Sequence, residues 1–209
     1  MEIIYPSRCL GCGKKEEIFC QDCISKTPRN KKITENNIYA LFSYQDPLIK
    51  KLIWNLKYYH HPNLGQRLGE VLYEEFIEEI AEIKSYLIDQ PIIVIPAPLS
   101  KNRTRTRGYN QAQKIALGFC NKGKPVNFIF RDNIVFKKIE TLPQAKINNR
   151  EKRLKNICGV FGLKNEKLIK GKTIIIIDDV TTTGGTIIEI IKILKESGAE
   201  KVFGFTIAH

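Results

Sequence analysis

The sequence predicts an α/β fold: a mostly parallel sheet with helices on both faces, preceded by a small cysteine knuckle. Three observations predict it. Short, uninterrupted apolar runs such as Ile92 to Ile95 and Thr173 to Ile177 read as strands buried on both faces rather than alternating ones. Between them lie longer segments whose apolar residues recur at helical spacing, the alternation expected of a parallel sheet. Four of the six cysteines fall between Cys9 and Cys23. At 209 residues with 43% hydrophobic content, the chain can bury a core of ordinary size, and global disorder is excluded.

In chain order, residues 9–23 form the knuckle and Lys26 to Asn37, rich in Lys, Asn and Thr, reads as a linker. Ile38 to Tyr44 is a strand. Asp46-Pro47 then supplies an N-cap and first helical residue for a helix carrying Leu48, Ile49, Leu52, Ile53 and Leu56. A second helix is predicted from about Leu64 to Ser85. Strand Ile92 to Ile95 ends in Pro96 and Pro98. Asn110 with Gln113 forms a candidate capping box for a helix with Ala112, Ile115, Ala116 and Phe119. Val126 to Phe130 and Thr173 to Ile177 are strands, Thr186 to Ser197 is a helix stopped by Gly198, and Lys201 to Ile207 closes the sheet. The boundaries expected are 1–30 for the knuckle and 31–209 for the main domain.

No run approaches the roughly 20 apolar residues of a membrane span. Met1 to Pro6 has no basic stretch followed by an apolar one, so neither membrane insertion nor a secretory leader is expected, and a cytoplasmic location is. Net charge is +12, and between Lys101 and Lys172 there are 19 Lys/Arg against 4 Asp/Glu. Such a field suits polyphosphate or nucleic acid.

The most informative segment is Ile174 to Thr186. A buried strand delivers Asp178 and Asp179 to its C-terminal edge, where ligands of open α/β sheets bind. Val180, Thr181, Thr182, Thr183, Gly184, Gly185 and Thr186 follow and lead into a helix. Glycines permit close backbone approach, and the loop and helix start offer N–H groups and hydroxyls to an anion. Carboxylates suit vicinal ribose hydroxyls, and the Thr/Gly loop suits a terminal phosphate. A P-loop NTPase is excluded: Gly171-Lys172-Thr173 precedes its strand, and Glu166 stands where that motif needs a glycine.

This segment resembles the signature of type I phosphoribosyltransferases that binds phosphoribosyl pyrophosphate (PRPP), and the chain is similar to the ComF family of competence and DNA-utilisation proteins. Further blocks carry the resemblance: Cys9-Leu-Gly-Cys12 with Cys20-Gln-Asp-Cys23, Leu56-Lys57-Tyr58, Pro96-Ala-Pro98-Leu99-Ser100 with Arg103 and Arg107 to Ala112, and Thr141 to Gln144 with Arg153, Asn156 and Phe161. Arg150 and Arg153 compete for one position of the pattern. The resemblance implies a type I phosphoribosyltransferase-like twisted sheet with a hood region within about 137–165. It further implies a pyrophosphate-binding loop of Pro98, Ser100, Lys101, Arg103 and Arg107, PRPP bound with Mg²⁺, and a role in DNA uptake. Single-stranded DNA and uptake machinery such as a helicase are the candidate macromolecular partners. Planar, permanently charged arginines fit the need: at an effective dielectric of 20, like charges about 4 Å apart repel by about 4 kcal/mol, so a diphosphate beside two carboxylates requires compensating cations.

Two C-x-x-C pairs separated by seven residues can close tetrahedrally on a structural Zn²⁺ through Cys9, Cys12, Cys20 and Cys23, with iron as the alternative. Lys57 and Tyr58 are candidates to face the site, although a helical lysine is usually solvated. His60, His61 and His209 have no recognisable partner, Cys120 and Cys158 read as small buried hydrophobes, and no catalytic residue is assigned. Three functions remain: a phosphoribosyltransferase acting on an unidentified acceptor, a protein that binds PRPP without turnover, and a nucleic-acid-handling module.

Overall fold

The computed structural model describes residues 8–34, 36–59, 61–87, 90–139 and 159–209. A six-stranded sheet runs in the order β1-β2-β8-β7-β3-β4. Its strands are β1 (Lys32–Ile33), β2 (Ile38–Phe42), β3 (Ile92–Pro96), β4 (Phe128–Phe130), β7 (Thr173–Val180) and β8 (Lys201–Ala208). All neighbours pair in parallel except β1, which runs antiparallel to β2 at one edge. The isoleucine run of β7 explains its central place. Ile175 and Ile177 enter one hydrophobic cluster and Ile174 and Ile176 the other, so successive side chains fill opposite faces.

One face is covered by α2 (Pro47–Tyr58), α3 (Pro62–Glu75), α4 (Ile77–Ser85) and α6 (Gln111–Lys122). The other carries α7 (Gly185–Glu196) and an antiparallel strand pair, β5 (Val135–Lys137) with β6 (Phe161–Leu163). The knuckle, with α1 (Gln21–Lys26), contributes Cys9, Phe19, Cys20, Cys23 and Ile24 to the first cluster. Lys51 donates to the Leu10 carbonyl and Arg67 to that of Phe19, tying the knuckle to α2 and α3. Within the described residues no helix is long and apolar enough to cross a membrane.

Several local expectations hold. Asp46 caps α2 by accepting from Leu48 and Ile49 N–H at 2.8 and 3.0 Å. Asn110 caps α6 through Ala112 N–H, but Gln113 does not complete a capping box. Its amide instead donates to Asp132 at 2.7 Å, a longer-range partner that local spacing cannot reveal. The single helix expected from Leu64 to Ser85 is two. The backbone leaves helical geometry at Phe76 (φ −114°, ψ 24°), whose fully buried ring packs edge-on against Tyr39 and Phe205. Seating that aromatic cluster outweighs one more turn of helix. The linker also contains structure, since Lys32 and Ile33 pair with Ala40 and Tyr39. The basic stretch after Ser100 is a helix, α5 (Lys101–Arg107), rather than a loop.

Helices α3 and α6 cross with their backbones in near contact. A Cβ on Gly69 would meet the Ile115 carbonyl oxygen at 2.0 Å, and one on Gly118 the Gln66 carbonyl oxygen at 1.9 Å. The pairing seats α6 deep enough for Asn110, at its start, to donate to the Ala97 carbonyl at 3.0 Å just beyond β3. That bond fixes α5 and α6 relative to the sheet edge where β7 presents its carboxylates.

Thr141 to Gln144, Arg150, Arg153, Asn156, Cys158 and His60 lie outside the described residues, as does most of the expected hood. Only its flanks, β5 and β6, are described.

Candidate functional site

Strand β7 carries its ladder through Asp178, which pairs with Thr206, and on to Val180, paired with Ala208. Each carboxylate is held by the next backbone amide: Asp179 N–H donates to Asp178 Oδ1 and Val180 N–H to Asp179 Oδ1, both at 2.8 Å. Thr181 N–H then donates to Ala208 O, and Gly184, at φ +76°, opens α7. An L side chain there would be strained, and its Cβ would meet Ile188 Cδ1 at 2.9 Å. The buried Thr183 hydroxyl has no hydrogen-bond partner among the described residues. A buried polar atom without a partner is costly, and this one lies in the loop expected to take a phosphate.

Lys57, near the C-terminus of α2, reaches this edge. Its Nζ lies 3.0 Å from Asp179 Oδ2, with side chains 22% and 13% exposed. The lysine is therefore not solvated, as its helical position suggested, but paired with one of the carboxylates. Burial alone would lower its pKa, yet the adjoining Asp179 charge and hydrogen bond leave it above the ordinary lysine value. Asp178 is pushed up to about 7. Burial is the main cause and the neighbouring Asp179 charge the second, with the amide of Asp179 and the charge of Lys57 opposing both. Asp178 consequently changes its charge near neutrality.

Beyond β3, Ala97 N–H donates to Ile177 O at 2.8 Å, so the Pro98 to Ser100 turn lies beside the β7 carboxylates. Ser100 is buried and caps α5, its hydroxyl oxygen accepting from Arg103 N–H and its carbonyl from Thr104. Lys101 opens the helix, and its side chain lies outside the described residues. Arg103 and Arg107 are one turn apart on one helical face, while Arg105 is exposed. Arg107 donates to Gln111 at 3.0 Å and stacks over the Tyr58 ring, 5.5 Å from its centroid. Tyr109 donates to the Leu56 carbonyl and is pushed up to about 12 by burial, so α2 and the α5–α6 junction are fastened together.

The structure thus brings Asp178, Asp179, Lys57 and Arg107 to one edge, with Thr181 to Thr186 beside them. A groove of about 380 Å³ adjoins the loop, lined among others by Lys32, Thr34, Asn36, Thr181 to Gly184 and His209. The sequence reading missed this groove and the ion pair. The ion pair had one signal: buried Leu52, Ile53 and Leu56 set a helix face beside which Lys57 must fall.

The knuckle forms a second centre. The four cysteine sulfurs lie within 4.8 Å of one another, Cys12 and Cys20 at 3.6 Å. A tetrahedral thiolate site with Zn–S of about 2.3 Å places sulfurs about 3.8 Å apart, so the residues fit the ion. Gly11 leaves room for the cluster, since a Cβ there would sit 2.6 Å from Cys23 Sγ. Gly13 (φ +79°) lets the chain turn back so that its N–H reaches Cys9 O. Burial, opposed by backbone amides of Cys20, Cys12 and Gly11, acts on Cys9. The amides prevail and bring it down to about 6, whereas burial pushes Cys23 up to about 12. Bound zinc would favour the thiolate form of all four.

The phosphoribosyl transferase domain family matches residues 106–208. Competence protein F of Haemophilus influenzae is 27% identical over 199 residues, covering 93% of this chain and 81% of that protein. Competence protein ComFC of Streptococcus pneumoniae is 29% identical over 207 residues, covering 99% and 82%. The DNA utilization protein YhgH of Escherichia coli O157:H7 is 25% identical over 197 residues, covering 93% and 80%.

Proposed function

We propose that this chain, similar over most of its length to competence and DNA-utilisation proteins and matched over residues 106–208 by the phosphoribosyl transferase domain family, binds PRPP at its β7 edge. In this reading the 5-phosphate lies on Val180 to Thr186, where the unpartnered Thr183 hydroxyl gains an acceptor. The ribose 2- and 3-hydroxyls donate to Asp178 and Asp179. The diphosphate lies toward Pro98 to Lys101, Arg103 and Arg107, accompanied by Mg²⁺, which would offset the charge those cations leave. The observation that carries the reading is the order of parts on one strand: two carboxylates, each fixed by the next amide, then a glycine-opened loop and a helix.

Turnover would form a bond from an acceptor nucleophile to ribose C1 and break the bond from C1 to the diphosphate, which departs with its electron pair. Arginine charge would stabilise the leaving group. No residue is assigned to activating the acceptor, and binding without turnover is the alternative function of the same site. We place the protein in the cytoplasm, handling incoming single-stranded DNA in transformation alongside uptake machinery such as a helicase. The knuckle serves as a structural zinc centre.

Calorimetric titration with PRPP, with and without Mg²⁺, tests the site. Saturable binding at one site per chain is expected, and no heat or displacement under either condition would reject it. Pyrophosphate release on adding candidate base or amine acceptors then separates transferase from sensor. For the knuckle, about one zinc per chain is expected, falling in Cys20→Ser. Metal-free protein with four freely titrating thiols would reject that assignment.

A further inference from the structure

The outer face of α2 displays two large aromatic residues to solvent, Trp54 at 55% and Tyr58 at 53% exposed, and Tyr59, just past its end, is 60% exposed. Leaving such area in water is unfavourable, and Trp54 and Tyr58 occupy the last two turns of the helix. Trp54 and Tyr58, four residues apart, lie with ring centroids 4.5 Å apart at 46°. The Arg107 guanidinium covers part of the Tyr58 ring from the neighbouring helix. On that helix Arg105 is exposed and Arg103 lies one turn before Arg107. Next to Tyr58, Lys57 turns inward to Asp179. The rim of the carboxylate site is therefore aromatic and cationic together, on a protein of net charge +12.

We infer that Trp54, Tyr58 and Arg107 form a base-stacking platform for single-stranded nucleic acid at the mouth of the carboxylate site. Every base has a π-face, so an aromatic pair flanked by arginine holds a strand without reading its sequence. Duplex DNA keeps its bases stacked inside and cannot use the rings. A second protein would need a larger apolar patch than these three aromatic residues, and the adjoining arginines complement phosphates. The inference moves the strand from a diffuse basic region to a defined helix face. It does not depend on PRPP binding, so the two readings can fail separately.

Trp54 is the sole tryptophan of the chain, and so reports on the platform without labelling. The experiment titrates the full-length, metal-replete protein with oligo-dT of about 16 nucleotides at low salt. It follows tryptophan emission and the anisotropy of a labelled strand together. Quenching that saturates along the anisotropy curve is expected, as is weakening with salt at a log–log slope near −0.7 per phosphate contact. Trp54→Ala should weaken binding about 5- to 140-fold, the range of one lost stacking partner, and Trp54→Phe should recover part of the loss. Because Trp54 is half exposed, both variants should keep the parent circular dichroism spectrum and PRPP affinity. Three results would overturn the inference: no strand binding by the parent, strand binding by Trp54→Ala equal to the parent, or an emission shift that tracks protein concentration and a sedimenting dimer without DNA. Strand binding that depends on Trp54 in a protein showing no PRPP binding would uphold the platform while rejecting the PRPP site.

Discussion

The two sides of the site are built in opposite ways. The carboxylate and phosphate side, Asp178 to Thr186, is one continuous segment whose parts are set by their own strand, turn and helix start. The cationic side is assembled by folding from two remote segments. Lys57 and Tyr58 come from α2, Arg103 and Arg107 from α5, and they are joined through contacts such as Tyr109 on Leu56 and Arg107 on Tyr58. A continuous segment keeps its geometry as long as its strand holds, whereas an assembled side keeps it only while two helices stay registered. Substitutions should accordingly act locally on the first and through packing on the second.

The largest effect is expected where the two sides touch. Asp179→Asn removes the partner of Lys57 and leaves a mostly buried ammonium uncompensated, so stability should fall by up to about 3–5 kcal/mol. Charged hydrogen bonds are worth about 1.5–3 kcal/mol, so PRPP affinity should drop roughly 10- to 150-fold. Denaturant unfolding and calorimetry check the two separately. Unchanged stability would mean that Lys57 does not depend on Asp179 and that the sides are independent.

Asp178→Asn should act in the other direction. With its folded pKa raised to about 7, Asp178 binds a proton more tightly folded than unfolded. Its stabilising contribution is full below about pH 4 and is lost as pH rises through about 7. At one pKa unit per about 1.4 kcal/mol, Asn should gain at most about 4 kcal/mol over the parent at pH 8 and nothing at pH 4. Melting curves of both proteins across that range give the difference. A parallel pair of pH profiles would show that Asp178 carries no strain in the ligand-free site.

Arg107→Lys sharpens the contrast on the assembled side. It keeps the charge but loses the planar fork and its stack on Tyr58, worth about 0.5–1 kcal/mol at an exposed site. PRPP affinity should fall roughly two- to five-fold by calorimetry, and a loss as large as that of Asp179→Asn would mark the cationic side as dominant. The smallest effect belongs to Thr104→Ala, which removes only a hydroxyl bonded to the Ser100 carbonyl. Stability should stay within about 0.5 kcal/mol and binding within a factor of about two.

What the sequence disclosed follows the same division. The β7 segment was legible because strand, carboxylates and loop succeed one another in order, and Asp46-Pro47 and Asn110 marked their helices by local chemistry. α5 was missed because KNRTRTR has no apolar residue to carry a period. Its signals were caps alone, Ser100 before it and Gly108 (φ +77°) after it. The break at Phe76 depends on a ring pocket formed by Tyr39 and Phe205, strands away in sequence. The Lys57–Asp179 pair is likewise a product of tertiary structure: spacing along α2 sets Lys57 beside the buried face but does not name its partner.

The crossing of α3 and α6 has a genetic consequence. At Gly69 and Gly118 even alanine has no space, because the obstacles are carbonyl oxygens of the facing helix. A methyl group at either position would wedge the helices apart, carrying with it Asn110, the tie to Ala97 and the seating of Arg107. A screen for loss-of-function alleles should therefore recover these two glycines beside the aspartates of β7, although neither belongs to the β7 loop. Their alleles should differ from the aspartate alleles in one respect: growth at low temperature should rescue them, whereas a smaller side chain on the opposite helix should not, because the obstacle is backbone.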